Sequence, residues 1–280
     1  MTPRETSSLT VRSAPVKAAR RLLRSSERRA AGLFLAEGPQ SAAEALADGE
    51  VVELFIAPAA ADRHPELIPT AEAAHAAVRL ATDQVIASLT TTVTPAGVIA
   101  ICRTVDVALE RVLGPTPSLV ALLAHVRDPG NAGTVLRTAD AAGADAVVLS
   151  AASVDVYNAK CVRAAAGSLF HLPVVIGVEL ASAVGGLRSA GLRILAADGT
   201  GELDLYDEQD SGALATPTAW LFGNEAWGLP PELRNLADAV VRVPIHGRAE
   251  SLNLAAAAAV CLYASARAQR HPFRAGRARP

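Results

Sequence analysis

Aromatic residues make up only 4% of this 280-residue chain and its one methionine is Met1, so the core has to be built on Ala, Val and Leu. Cysteine is scarce as well. Cys102, Cys161 and Cys261 stand far apart with no paired spacing, which argues against a disulfide framework and a thiolate zinc site. The six histidines are equally scattered, so no metal is expected. No apolar run reaches the roughly 18 residues that a bilayer crossing needs; the longest, around Leu254 to Ala264, falls short. The basic, Ser-rich N-terminus lacks the apolar stretch of a signal peptide, and a cytoplasmic protein with no membrane partner is the expectation. A Gly-x-Gly-x-x-Gly turn is missing too: Gly130 and Gly133 are wrongly spaced for a dinucleotide fold, and Gly223 to Gly228 has no Lys-Ser/Thr for nucleotide phosphates.

What is present is a length that allows one large or two ordinary domains and 51% hydrophobic content, enough to bury a sizeable core. Net charge is only −2, yet residues 1–30 sum to +6 and residues 262–280 to +5, leaving −13 on the rest. A polyanion would therefore be met by the termini and by local patches. Solvated tails explain the same charge. A polar lead over residues 1–13 precedes a basic helix from about Val16 to Ala31, a candidate RNA contact. Short apolar runs at Phe34 to Ala36, Val51 to Ile56, Val78 to Ala81 and Val98 to Cys102 alternate with helical stretches at Gln40 to Ala47 and Asp83 to Leu89. They predict a small α/β domain over residues 1–105. Gly114, Pro115 and Pro117 mark residues 106–118 as a linker. From 119 to 280, strands near Leu119 to Ala124, Ala146 to Leu149, Val174 to Ile176, Arg193 to Ala197, Ala219 to Phe222 and Val240 to Val243 alternate with helices. A mainly parallel, doubly wound sheet follows.

Three of these strands break abruptly into polar loops: Asn131-x-Gly-x-x-x-Arg137, Gly223-Asn-Glu-Ala-Trp-Gly228, and Pro244 followed by Ser251-Leu252-Asn253. Parallel sheets deliver ligand-binding groups at that carboxyl edge. The three motifs in this order resemble the SpoU/TrmH family of RNA ribose 2'-O-methyltransferases. The segments 28–38 and 94–100 are similar to the substrate-binding domain carried by many members. The resemblance implies a SPOUT-type trefoil knot, S-adenosyl-L-methionine as cofactor, RNA as partner and a homodimer formed through the last helix. Motif 2 has Ala226 where many members have glycine, and motif 3 has Ile245-His246 after its proline; neither change removes a polar group.

Methyl transfer to a ribose hydroxyl requires that hydroxyl to be held, its proton removed and the neighbouring phosphate fixed. By resemblance, Arg137 takes the leading catalytic role. A guanidinium is a poor base, so orienting phosphate and hydroxyl is the favoured task; a surface pair with Asp140 is the structural alternative. Asn131 caps the helix starting near Ala132, hydrogen-bonds substrate, or does both. Glu225 either holds Arg137 or a backbone amide, or is a solvated loop carboxylate. Ser251 and Asn253 open the final helix, where capping explains them without chemistry; in the family they support the site. Gly223, Val243 and Leu252 match positions that grip the cofactor with main-chain groups, although Val243 and Leu252 alone would read as core residues. Trp227 is a base-stacking platform, a buried aromatic or a dimer contact.

The two-domain layout and the Glu250-Ser-Leu-Asn253 form of motif 3 are similar to large-subunit ribosomal RNA methylases, some of which confer thiopeptide resistance. Transfer RNA is the alternative substrate. A non-catalytic RNA-binding protein of the same fold is the reading from another class, and retention of every motif polar residue speaks against it.

Overall fold

The computed structural model describes residues 9–114 and 116–271, so most of the polar lead and the basic stretch 272–280 lie outside the described residues. Contacts divide the chain into two units, Met1–Val105 with Asp155–Phe170, and Asp106–Val154 with His171–Pro280.

The first unit opens with two helices, α1 (Ala14–Arg21) and α2 (Ser25–Ala31), where the sequence suggests one. The break comes at Arg24, whose extended backbone makes it the N-cap of α2. There follow β1 (Leu33–Glu37), α3 (Pro39–Ala47), β2 (Val51–Ile56), α4 (Pro58–Arg63), α5 (Leu67–Ala73), β3 (Ala77–Leu80), α6 (Asp83–Ser88) and β4 (Val98–Arg103). The sheet order is β1-β4-β2-β3, with β4 antiparallel to both of its neighbours. Val98 to Cys102 are all buried, as a central strand requires. Lys17, Arg20, Arg24 and Arg29 keep α1 and α2 basic on the outside. Arg28 does not: it is 4% exposed, donates to the Leu22 carbonyl at 2.8 Å and pairs with Asp155 at 2.6 Å. It is an internal tie and not part of an RNA-facing surface.

Residues 155–170, which the sequence groups with the second domain, pack in the first unit. Besides Asp155, Arg163 pairs with Glu37 at 2.8 Å, and the Tyr157 hydroxyl accepts from the Val105 amide at 2.8 Å. The Tyr157 ring lies 4.7 Å from that of Phe34. Partners distant in sequence leave no periodic signal, so this return excursion, including α7 (Ala159–Ala165), escapes pattern reading.

The second unit is built on β5 (Leu119–Leu123), β6 (Ala146–Ser150), β7 (Val174–Val178), β8 (Arg193–Ala197), β9 (Leu203–Asp204), β10 (Thr218–Phe222) and β11 (Ala239–Arg242). Every pairing is parallel, in the order β7-β6-β5-β10-β8-β11-β9. The helices Pro129–Ala142 and Leu254–Arg270 pack together on one face, where the buried Trp220 donates to Ser265 at 2.9 Å. On the other face, Ala219, Leu221, Val120, Leu122 and Ile194 meet the helix Leu180–Ser189. Alternate residues of β10 thus serve opposite faces, which is the doubly wound α/β arrangement. The stretch 106–118 is more than a linker: it carries the helix Leu109–Leu113, and a Cβ at Gly186 would meet Leu113 Cδ1 at 2.8 Å. The glycine leaves room for the Leu113 side chain against Leu180–Ser189.

Candidate functional site

At the carboxyl ends of β5, β10 and β11 the three polar loops converge, beside the point where the strand order reverses between β5 and β10. An open cleft of about 800 Å³ lies there, with Gly223, Glu225, Val243, Ser251, Leu252 and Asn253 among its lining residues. Val243 is half-buried and Leu252 is 38% exposed, so neither sits in the core.

The loop after β10 is shaped by backbone constraints. Asn224 and Gly228 exchange two backbone hydrogen bonds of 2.9 Å, and Gly228 turns the chain at φ +66°. A Cβ on Gly223 would lie 2.4 Å from the Gly228 carbonyl, so no other residue closes this loop unchanged. Asn224, which the sequence reading passes over, is 5% exposed; it donates to the His125 carbonyl at 2.7 Å and accepts from the Ala226 amide at 2.8 Å. Its signal was a polar side chain two residues after the wholly buried strand β10. Asp198, at the end of β8, lines the same cleft and also had no motif to mark it.

Glu225 accepts from the amides of Arg127 and Asp128 and from Asn131 Nδ2, each at 3.2 Å. Asn131 Oδ1 in turn accepts from Asn253 Nδ2 at 3.1 Å. One hydrogen-bonded chain therefore ties all three motifs together. Two expectations need correcting. Asn131 does not cap its helix: the helix begins at Pro129, and Asp128 is the N-cap, accepting from the Asn131 amide at 2.8 Å. Ser251 does not cap the last helix either, because Asn253 does so by accepting from the Ala255 amide at 2.9 Å. Both caps sit at the residue before the first helical turn, where a side-chain oxygen reaches the orphan amides.

Arg137 is not brought to this cleft. It is exposed on the helix Pro129–Ala142 and forms no ion pair or hydrogen bond among the described residues. Asp140, its alternative partner, is instead 2.9 Å from His171. Glu225 is engaged with the loop amides and not with Arg137. Trp227 is 54% exposed, with the Arg127 guanidinium 5.7 Å from its ring centroid, so it is not a buried aromatic.

Burial pushes the Cys102 and Cys261 thiols well up, with the Glu50 charge adding to the effect at Cys102. Both are inert packing groups. Among the described residues no cluster of His, Cys, Asp or Glu fits a metal ion, and no helix is long and apolar enough to cross a membrane.

Residues 118–263 match the SpoU rRNA Methylase family, and residues 14–100 match the MRM3-like substrate binding domain. The Bacillus subtilis 23S rRNA (guanosine(2553)-2'-O)-methyltransferase RlmP is 34% identical over 89% of this chain and 94% of its own. An AdoMet-bound rRNA methyltransferase from Sinorhizobium meliloti superposes with a TM-score of 0.81 at 31% identity, covering 94% of this chain and 97% of that one. AviRb, a SpoU methyltransferase from Streptomyces viridochromogenes also solved with AdoMet, aligns at a TM-score of 0.79 and 30% identity over 92% of this chain and 99% of that one. The chain belongs to the SpoU rRNA methylase family.

Proposed function

We propose that this protein transfers a methyl group from S-adenosylmethionine to a ribose 2'-hydroxyl of 23S ribosomal RNA. The observation that carries the reading is the chain Glu225–Asn131–Asn253, which ties the first turn of the helix Pro129–Ala142 to the two loops that line one cleft at the carboxyl edge of a parallel sheet. Relatives named as 23S rRNA 2'-O-methyltransferases support the substrate class.

The cleft fits the cofactor. Its volume of about 800 Å³ suits a ligand of that size, its walls at Val243 and Leu252 are apolar, and the carboxylates of Asp198, Glu225 and Glu250 in its lining would favour a cationic ligand. When bound, S-adenosylmethionine supplies the electrophilic methyl group. Gly223, Val243 and Leu252, which line the cleft, would hold it with main-chain groups. Glu225, Asn131 and Asn253 fix the three loops, so that donor and acceptor are held without reorganisation in the reaction. Ser251 sits exposed on the cleft wall and assists in holding the acceptor. Arg137 binds the phosphate beside the target ribose and orients its hydroxyl, a task suited to a fixed, permanently charged fork of donors.

Because Arg137 stands away from its own cleft, the reading includes a homodimer in which this arginine serves the partner's site. It also includes the trefoil-knotted path that membership of the family implies. The first unit, with its exposed basic α1 and α2, holds the RNA. The cytoplasm, where ribosomal RNA is found, is the inferred location. Mapping 2'-O-methyl marks on total RNA with and without the gene tests the substrate: one 23S mark disappears on deletion, whereas a change confined to transfer RNA overturns the assignment.

A further inference from the structure

We infer that Trp227 and Arg127 form a base-stacking platform that holds the nucleotide to be methylated, or its neighbour, at the rim of the cofactor cleft. The inference rests on the methyltransferase reading and adds the residues that bind the acceptor.

A lone exposed aromatic would need no explanation. Here the setting is specific. Trp227 is 54% exposed and follows Glu225 by two residues, while its neighbours Ala226 and Gly228 both line the cleft. Its loop is closed by the paired amides and carbonyls of Asn224 and Gly228 and pinned through Asn224 to the His125 carbonyl. Arg127 stands over the ring at 5.7 Å, and its own amide is held by Glu225. The two side chains thus come from two motif loops fastened to each other. With a guanidinium on one side and more than half of the residue exposed, the indole offers a flat surface with a fixed positive charge beside it. That combination suits an unpaired base and its phosphate: bases splayed out of an RNA stack lie on aromatic and guanidinium planes, and any base has a π-face to offer.

The test uses full-length protein, protein-free 23S rRNA transcript and S-adenosylmethionine. Trp220 is wholly buried, so RNA contacts Trp227 alone of the two, and the part of an RNA-induced emission change that is lost in Trp227→Phe reports on Trp227. RNA is expected to quench that emission in the wild type. Trp227→Ala should raise KM for the transcript about tenfold, as loss of one stacked base predicts, with kcat and cofactor affinity by calorimetry within about twofold. Trp227→Phe should recover most of the loss, and Arg127→Ala should raise KM and weaken its salt dependence. An active wild type whose KM is unmoved by Trp227→Ala overturns the platform. So does a Trp227→Ala protein whose sedimenting mass falls, which would make the ring a subunit contact. A wild type that methylates no RNA removes the methyltransferase reading itself.

Discussion

Arg137 and Gly223 test the site from opposite ends, one by chemistry and one by space. Arg137 is exposed and unpaired among the described residues, so its removal leaves no buried group stranded. Arg137→Ala should therefore fold normally, bind S-adenosylmethionine with affinity within about twofold, and lose methyl transfer by about 100-fold or more, as expected when an orienting group is lost. Arg137→Lys should recover little, since an ammonium lacks the planar fork. Equal loss of cofactor affinity in Arg137→Ala, measured by calorimetry, would reassign the residue. Gly223→Ala acts differently. Its new Cβ would press on the Gly228 carbonyl at 2.4 Å and on Leu229 Cγ at 2.8 Å, and backbone cannot yield as a side chain does. The loop must open, and cofactor affinity should fall by at least about tenfold, because displacement of a ligand-positioning loop by an ångström is enough to cost that much. Calorimetry reads this directly, and unchanged affinity would mean that the loop does not touch the cofactor. Motif spacing made these residues visible in the sequence. It left Asn224 and Asp198 unmarked, because their importance lies in which distant backbone or cleft wall they meet.

Among the secondary-structure elements, caps carry the clearest consequence. Glu179 caps the helix Leu180–Ser189 by accepting from the Ala181 amide at 3.0 Å and the Ser182 amide at 2.6 Å. Those amides hold its carboxyl below the usual carboxylate range, with the Ala181 bond contributing most. A depressed folded-state value means that the cap stabilises above the ordinary carboxylate range and that this contribution disappears as pH falls through the lowered value. Urea melts of the wild type and Glu179→Gln should therefore differ at pH 7 and converge as pH drops below the carboxylate range. A gap that stays constant with pH would mean that the charge is not what caps the helix. Strands were easier to read than caps: β2 and β8 run over the residues expected, because each is a continuous or alternating apolar run ended by polar residues. The helices Pro58–Arg63 and Leu67–Ala73 were not visible, being only six and seven residues long, with prolines at Pro58 and Pro69 that read as breaks. The two-residue β9 is set by register against β11 and has no pattern of its own.

At the scale of the whole molecule, the last helix poses the question of assembly. Small apolar residues recur along it more often than one contact stripe needs, and the structure sorts them into two sets. Ala255, Ala258, Leu262 and Ala266 are buried against its own unit, whereas Ala256, Val260, Tyr263 and Arg267 form an exposed line at spacings of four, three and four residues. Val260 is 38% and Tyr263 52% exposed, an apolar stripe that a second copy would cover by twofold self-pairing. The neighbouring helix Pro129–Ala142 carries the exposed Arg137, and the proposed dimer is the association that would let that arginine serve a partner's cleft. Sedimentation equilibrium at micromolar concentration should then give about twice the chain mass of 28.8 kDa. Val260→Asp should shift the protein toward the single-chain mass, because a charge on each side of a twofold contact repels its own image and loses its water. Methyl transfer should fall in parallel with the dimer fraction, while cofactor binding by single chains persists to the extent that the cleft is complete within one chain. A species of 28.8 kDa with full activity would show that each subunit works with its own Arg137 and that the stripe serves another purpose.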